Sequence, residues 1–188
     1  MPALCPGESA RGLSPEPPGF GTTDTTIFIG GTSMQLRFAV LEDLPAVNVL
    51  RRQVNELHVT GRPETFKAGF PPELEHHVYT VFHDPDQKIL VAEEDGQLCG
   101  FAVLHQIRRP ETPFMYERRF LDVDEFGVAP AFRRRGVGRA LIDRAKAWAK
   151  EQGFDRLELN MWEFNRDALA FYEAVGFQTY RRYLEIPL

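Results

Sequence analysis

The sequence of 188 residues contains little cysteine, and its two cysteines, Cys5 and Cys99, lie far apart. Neither falls in a CxxC pair or in a Cys/His spacing typical of zinc sites, so a disulfide framework and a structural zinc site are not expected. The five histidines show no HExxH spacing either. The sequence therefore predicts a protein without a bound metal, and its low cysteine content favours the reducing cytoplasm.

Long apolar runs and a strong excess of one charge are also missing. Charged residues interrupt every apolar stretch from Leu36 onward, whereas a helix that crosses a bilayer needs about 20 apolar residues in succession. The net charge is -5, and a surface of that sign repels a phosphate backbone. We therefore expect neither a membrane span nor nucleic-acid binding.

The composition suits a single folded domain, because 43% of the residues are hydrophobic and 26% are charged. Residues 1–33 differ, since they hold 11 of the 29 glycines and prolines and show no helical or alternating pattern. They also lack the features of a secretory signal or transit peptide. We expect residues 1–33 to be a disordered leader or a non-native extension, with Met34 as a candidate translation start and residues 34–188 as the domain.

The spacing of apolar residues predicts a mixed α/β order in this domain. Helices are expected at 44–58, near 72–83, at 138–152 and at 166–175, and strands at 35–40, 88–93, 98–104, 118–128, 156–162 and 177–186. Asp95 and Gly96, between the second and third strands, are typical of a hairpin turn. The fold class is therefore α/β, with a mixed sheet flanked by helices on both faces.

The most informative segment joins a predicted strand to a predicted helix and is both basic and punctuated by glycine. Gly136 and Gly138 let the backbone approach a ligand, and the first N–H groups of the following helix lack intrahelical partners. With Arg133, Arg134, Arg135 and Arg139 around them, these groups suit a pyrophosphate. A tight turn with solvated arginines is the alternative, and neither GxGxxG nor a Gly-Lys-Ser/Thr sequence is present.

Two ordered motifs resemble the GNAT superfamily of N-acetyltransferases. Arg133-x-x-Gly136-x-Gly138 resembles its acyl-CoA pyrophosphate loop, and the segment from Asn165 to Phe177 is similar to its Asn-x-x-Ala-x-x-Phe-Tyr-x-x-x-Gly-Phe motif. The resemblance is clear over residues 89–186, whereas residues 62–87 carry no assignable motif. It implies a largely antiparallel central sheet flanked by helices. It also implies transfer of an acetyl group from acetyl-CoA to a primary amine of a small molecule or peptide, within a ternary complex.

The resemblance further implies roles for individual residues. The candidate cofactor-binding residues are Phe126, Gly127, Val128, Arg133, Arg134, Arg135, Gly136, Val137, Gly138, Arg139, Asn165 and Tyr172. The N–H of Val128 would donate to the developing oxyanion. Tyr172 is the candidate acid that protonates the CoA sulfur, with simple packing and a hydroxyl bonded to backbone as the alternative. Asn165 is a helix N-cap, a CoA contact or both.

The proton of the acceptor ammonium, whose pKa is about 10.4 for a lysine-type amine, must pass to a base or to water. Glu125 is the candidate catalytic base, and strand alternation would place it on the face opposite Asp122 and Asp124. Two other functions are considered: a non-catalytic acyl-CoA-binding module, and a nucleic-acid-binding protein that uses Arg133 to Arg135. The sequence does not specify the acceptor, and a homodimer is compatible with it.

Overall fold

The computed structural model describes residues 24–29 and 31–188. Six strands form one sheet in sequential order, and every neighbouring pair is antiparallel except the last, which is parallel. The strands are β1 (Thr25–Ile29), β2 (Thr32–Phe38), β3 (Gln87–Glu94), β4 (Gln97–Arg109), β5 (Arg118–Val128) and β6 (Arg156–Glu158). The helices are α1 (Leu44–Gly61), α2 (Pro72–His83), α3 (Val137–Glu151) and α4 (Arg166–Ala174). The predicted mixed and largely antiparallel sheet is confirmed.

Apolar residues on both faces of the sheet explain why helices cover it on two sides. Leu141, Ala145 and Trp148 of α3 pack on one face against β2, β3, β4 and β5. Leu44 and Val47 of α1, with two valines of α2, pack on the other face. Within the residues described, no helix is long and apolar enough to cross a membrane.

The beginning of the sheet departs from the expectation for residues 1–33. Thr25–Ile29 forms β1 and pairs antiparallel with β2, with Ile27 opposite Met34. The prediction of a disordered segment is therefore wrong for these residues, because a short run of β-branched and aromatic residues forms a strand despite the glycines and prolines around it. Residues 1–23 and 30 lie outside the described part of the chain.

A bulge in β5 changes which side chains share a face. Val103 of β4 lies opposite Glu125, and the next residue, Leu104, lies opposite Val123, so Asp124 is the extra residue. The alternation therefore shifts by one position, and Asp122 and Glu125 lie on the same face of the sheet. The prediction that they lie on opposite faces is wrong, because the regular alternation it assumed does not continue through Asp124.

The C-terminal part of the chain has less strand than its pattern predicts. β6 ends at Glu158, not at residue 162, and residues 177–188 have no regular secondary structure. Side chains hold this segment instead: the Tyr180 hydroxyl donates to Glu158 Oε2 over 2.7 Å, and Arg62 Nη2 lies 2.8 Å from Glu185 Oε1. Alternating residues alone do not make a strand, which also needs a backbone partner. The prediction of a strand at 177–186 is therefore wrong.

Candidate active site

The sheet opens where β5 and β6 part. The two strands pair only from Phe120 to Asp122 on the β5 side, and β5 continues to Val128. The Ala129 N–H donates to the Cys99 carbonyl over 2.9 Å, so the backbone groups of alternate residues Phe126 and Val128 point away from β4. They therefore line the opening, and their predicted contact with an acyl-CoA arm stays a prediction.

The N-terminus of α3 lies next to the end of β5 in sequence and has the features of an anion site. Gly136, its N-cap, has φ of +87°, in the left-handed region that favours glycine, and no side chain caps this end of the helix. The amides of Val137, Gly138 and Arg139 open the helix and have no intrahelical acceptors. A pyrophosphate therefore fits these donors and the positive end of the helix dipole.

The four arginines of this loop are placed differently from one another. Arg133 donates through Nε to the Val128 carbonyl over 3.1 Å, and Arg139 donates through Nη2 to the Ala174 carbonyl over 3.0 Å. Arg135 forms an ion pair with the buried carboxylate of Glu94. Arg134 is exposed, with φ of 62°. The exposed side chain of Arg134 has the most freedom to turn toward a phosphate, whereas Arg135 and Arg139 also stabilise the fold.

Aromatic rings of α4 and β5 pack against Gly138 of α3 on this face of the sheet. A Cβ added at Gly138 would stand 3.1 Å from Cζ of Phe171 and 3.5 Å from Cζ of Phe126. The rings of Phe126 and Phe171 stack with their centroids 5.7 Å apart, and Tyr172 meets Phe126 edge-on at 6.1 Å. Gly138 therefore allows close packing of α4 as well as approach of a ligand.

Tyr172 lies within this aromatic group and is half-buried. Burial raises the pKa of its phenol to about 12, so the hydroxyl is protonated at neutral pH. Among the described residues no hydrogen bond involves this hydroxyl, which leaves the proton available to a ligand. The alternative of a hydroxyl bonded to backbone is thus not seen. Asn165 caps α4, since its Oδ1 accepts from the Ala168 N–H over 3.1 Å.

Two side chains of α3 hold the C-terminal end of α4. Arg139 donates to the Ala174 carbonyl, and Lys146 Nζ donates to the Val175 carbonyl over 2.6 Å. The last carbonyls of a helix lack intrahelical donors and carry the negative end of its dipole, so cations stabilise them. The helix that opens the anion site is therefore tied directly to the helix that carries Tyr172.

On the opposite face, Glu125 is bound to α1 through an ion pair in which the cation is buried and the carboxylate is partly exposed. Its two oxygens accept from Nε and Nη2 of Arg51, each over 2.7 Å, and Arg51 is only 3% exposed. Arg51 Nη1 also donates to Asn48 Oδ1 and to the Leu74 carbonyl, both over 2.9 Å. Sequence reasoning missed Arg51, although a charged residue in the apolar stripe of α1 between Val47 and Val54 is a usable signal.

Four rings form a second aromatic group, on the α1 face, which we call the ring cluster: His58, Phe66, Trp162 and Phe164. Phe66 stacks on His58 at 5.0 Å between centroids and meets Trp162 edge-on at 5.2 Å. Phe164 closes the group, at 6.4 Å from His58 and 6.5 Å from Trp162. Burial lowers the pKa of His58 below 6.5, against the opposing charge of Glu125, so the imidazole is neutral at pH 7.

Acidic residues follow the edge of the opening on the β6 side. Burial raises the pKa of Asp122 to about 6, and the neighbouring charges of Asp124 and Glu158 add to this shift. Asp124, the bulge residue, is exposed. In the part of the chain that the structure describes, no group of three or more His, Cys, Asp or Glu side chains could hold a metal ion.

An opened pair of parallel strands beside an uncapped helix N-terminus, with a protonated tyrosine next to it, is the arrangement expected of an acyltransferase that uses a CoA thioester. The family model described as acetyltransferase (GNAT) family matches residues 51–177. The chain belongs to that family, and it is an acyltransferase.

One relative and two solved structures are similar to this chain. The uncharacterized N-acetyltransferase YhfO of Bacillus subtilis is 28% identical over 146 residues, which are 77% of this chain and 90% of YhfO. A tetramutant of the BH1408 protein of Bacillus halodurans has a TM-score of 0.78 at 26% identity and covers 81% of this chain and 99% of its own. The aminoglycoside N-acetyltransferase AAC(6')-Iy in complex with CoA shares the fold, with a TM-score of 0.66 at 20% identity over 86% of this chain and 99% of its own.

Proposed function

We propose that this chain transfers the acetyl group of acetyl-CoA to a primary amine of a small molecule or peptide, by direct attack within a ternary complex, in the cytoplasm. The observation that carries the proposal is the opening between β5 and β6. Backbone groups of Phe126 and Val128 line it, and the uncapped N-terminus of α3 follows directly in the chain.

Each part of the site has a role in this reaction. The amides of Val137 and Gly138 bind the pyrophosphate, with Arg133 and Arg134 adding positive charge. The backbone from Phe126 to Val128 holds the pantetheine arm, and the Val128 N–H donates to the carbonyl oxygen as negative charge develops on it. Tyr172 donates a proton to the departing sulfur.

Glu125 is better suited to positioning than to accepting the amine proton. Both of its oxygens already accept from the Arg51 guanidinium, and protonation would break a bidentate pair with a buried cation. We therefore assign Glu125 to fixing α1 against β5. No metal takes part in the proposed reaction.

The test is release of free thiol from acetyl-CoA in the presence of amines, polyamines, aminoglycosides and peptides. Acetylation of at least one amine, confirmed by mass, supports the proposal. Calorimetric binding of acetyl-CoA without thiol release for any amine would make the chain a non-catalytic acyl-CoA-binding module. Binding of DNA or RNA that weakens steeply with salt, without acetyl-CoA binding, would favour the basic patch at Arg133 to Arg135.

We also propose a homodimer formed through the C-terminal segment. Tyr183, Leu184 and Ile186 are 80%, 93% and 84% exposed, and apolar side chains grouped in this way mark interaction surfaces. Light scattering of the full chain at micromolar concentration should give twice the monomer mass, and Leu184→Glu should give the monomer. A monomeric parent protein would refute the homodimer.

A further inference from the structure

The two aromatic groups of the site lie on opposite faces of the opened sheet. Phe126, Phe171 and Tyr172 belong to the face covered by α3, whereas the ring cluster includes His58 of α1, which covers the other face. In direct attack, the amine must reach the thioester from the side that CoA leaves open. This inference rests on the binding of CoA as proposed above. The acceptor amine then approaches the thioester from the face of the sheet that α1 covers.

One stripe of α1 brings His58 to the opening. Arg51, Val54 and His58 follow at spacings of three and four, so they share a face of the helix. Arg51 reaches Glu125 of β5, and Cγ2 of Val54 lies 2.9 Å from where a Cβ at Gly127 would stand. His58 follows one turn later, past the last of these β5 contacts, and its ring meets that of Phe164, which follows β6.

The ring cluster offers apolar ring surface, which suits only some amines. All four of its residues are half-buried, so ring edges and faces remain accessible. The guanidinium of Arg62 lies over Trp162, 5.3 Å from its centroid, and also pairs with Glu64 and Glu185. Because both carboxylates offset the charge of Arg62, the selection comes from the ring surface: an amine on an aromatic or alkyl body would bury that body against the rings, whereas a polyamine or aminoglycoside has little apolar surface to bury there.

We propose that the ring cluster binds the aromatic or alkyl body of a primary monoamine, and that His58 accepts the proton of its ammonium group. The ammonium gives one proton to the imidazole, which passes it to solvent. The free amine then attacks the thioester carbon, so a C–N bond forms and the C–S bond breaks. The second proton lost by the nitrogen ends on the sulfur through Tyr172, and CoA leaves as the free thiol.

The charged groups around His58 determine when it can accept a proton. Burial disfavours the protonated ring and Glu125 on β5 favours it, and the net result is that the pKa of His58 is lowered from its ordinary value. Arg51 on α1 is paired with Glu125, and Arg62, which follows α1, is paired with Glu64 and Glu185. His58 is therefore protonated and inactive only at acidic pH, and kcat should fall toward acidic pH, below the range in which a histidine ordinarily titrates.

The experiment measures thiol release with phenethylamine, tryptamine and hexylamine against spermidine, ornithine and an aminoglycoside. The monoamines should have kcat/KM at least about tenfold higher. Trp162→Ala and Phe66→Ala should raise KM for phenethylamine about tenfold and leave acetyl-CoA affinity unchanged, because loss of a ring contact removes binding of the body only. His58→Gln should lower kcat about 100-fold and remove the acid limb, and His83→Gln, on α2, is the matched control.

A readout without turnover separates this inference from the proposed function. Phenethylamine should change the tryptophan fluorescence of the full chain, and Trp162→Phe should abolish the change, because the other tryptophan, Trp148, is 3% exposed. Turnover of spermidine or an aminoglycoside with KM unaffected by the ring substitutions would overturn the inference and leave the acetyltransferase in place. An acid limb that persists in His58→Gln would overturn the role of His58. Failure to bind acetyl-CoA would instead overturn the proposed function.

Discussion

Replacing Tyr172 with phenylalanine separates catalysis from packing at the centre of the site. The ring and its contacts with Phe126 and Phe171 are kept, and only the hydroxyl is lost. Because no hydrogen bond of that hydroxyl is seen within the described residues, the substitution should cost well under the 1 kcal/mol or so that a lost hydrogen bond costs. General acid catalysis contributes about 100- to 10,000-fold, so kcat should fall by that factor, which corresponds to a barrier higher by about 3 to 5 kcal/mol.

The same substitution should also change how the free energy of unfolding depends on pH in the alkaline range. The pKa of Tyr172 rises from about 10 in the unfolded chain to about 12 in the folded protein. Between these values the unfolded chain releases the proton while the folded protein keeps it, so the stability of the parent falls as the pH rises. The loss is at most about 3 kcal/mol, and Tyr172→Phe should lack it.

The assay combines kcat from thiol release, acetyl-CoA affinity from calorimetry, and urea unfolding at pH 8 and pH 11 on one preparation. Tyr180→Phe is the control, since it removes a hydroxyl that donates to Glu158 over 2.7 Å and lies on the C-terminal segment. Its kcat should stay near the parental value. A Tyr172→Phe protein with parental kcat, whatever its stability, would refute the role of Tyr172 as the acid.

The remaining predictions concern binding and stability. Gly138→Val should weaken acetyl-CoA binding more than tenfold by calorimetry, because its side chain would press on Phe171 and crowd the α3 amides, whereas exposed Arg134→Ala should cost less than about threefold. Glu125→Ala should lower the free energy of urea unfolding by about 3 to 5 kcal/mol, because it leaves the Arg51 guanidinium buried without its carboxylate, and a loss under about 1 kcal/mol would contradict this. Asp122 binds its proton more tightly in the folded state, so stability should fall as the pH rises from about 4 to about 6; Asp122→Asn should be more stable at pH 7 by about 1 kcal/mol after allowance for solvent screening. A chain starting at Met34 should melt below one starting at Asp24, because it lacks β1, and equal melting temperatures would restore Met34 as the domain boundary.

The elements predicted best are those whose local pattern and tertiary partner agree. Helix α2 begins at Pro72 as expected, and the hairpin between β3 and β4 turns at Asp95 and Gly96, both with positive φ. Near the candidate site, the end of β5 at Val128 and the start of α3 at Val137 follow from such local patterns, whereas the binding roles of these residues stay predictions. Local signals of this kind can be recognised without knowledge of the rest of the fold.

The features that the sequence did not predict depend on distant partners. The bulge at Asp124 is a property of the β4–β5 pairing and has no signature within β5. The pair of Arg51 and Glu125 joins residues 74 positions apart. The ring cluster likewise joins the end of α1, the segment before α2 and the residues after β6. The sequence shows these aromatic residues but does not show that they contact one another.

The hydrogen bonds from Arg139 and Lys146 to the last carbonyls of α4 would link the affinity for the cofactor to the placement of the proton donor. If these bonds hold α4 in the position that brings Tyr172 to the sulfur, a ligand that binds better to that arrangement stabilises it, and the arrangement strengthens binding of the ligand by the same free energy. The reaction can then be delayed until the thioester is seated, without a lid. Substitution of Lys146, which touches no ligand in this scheme, would loosen that linkage and show itself as a change in affinity and turnover together.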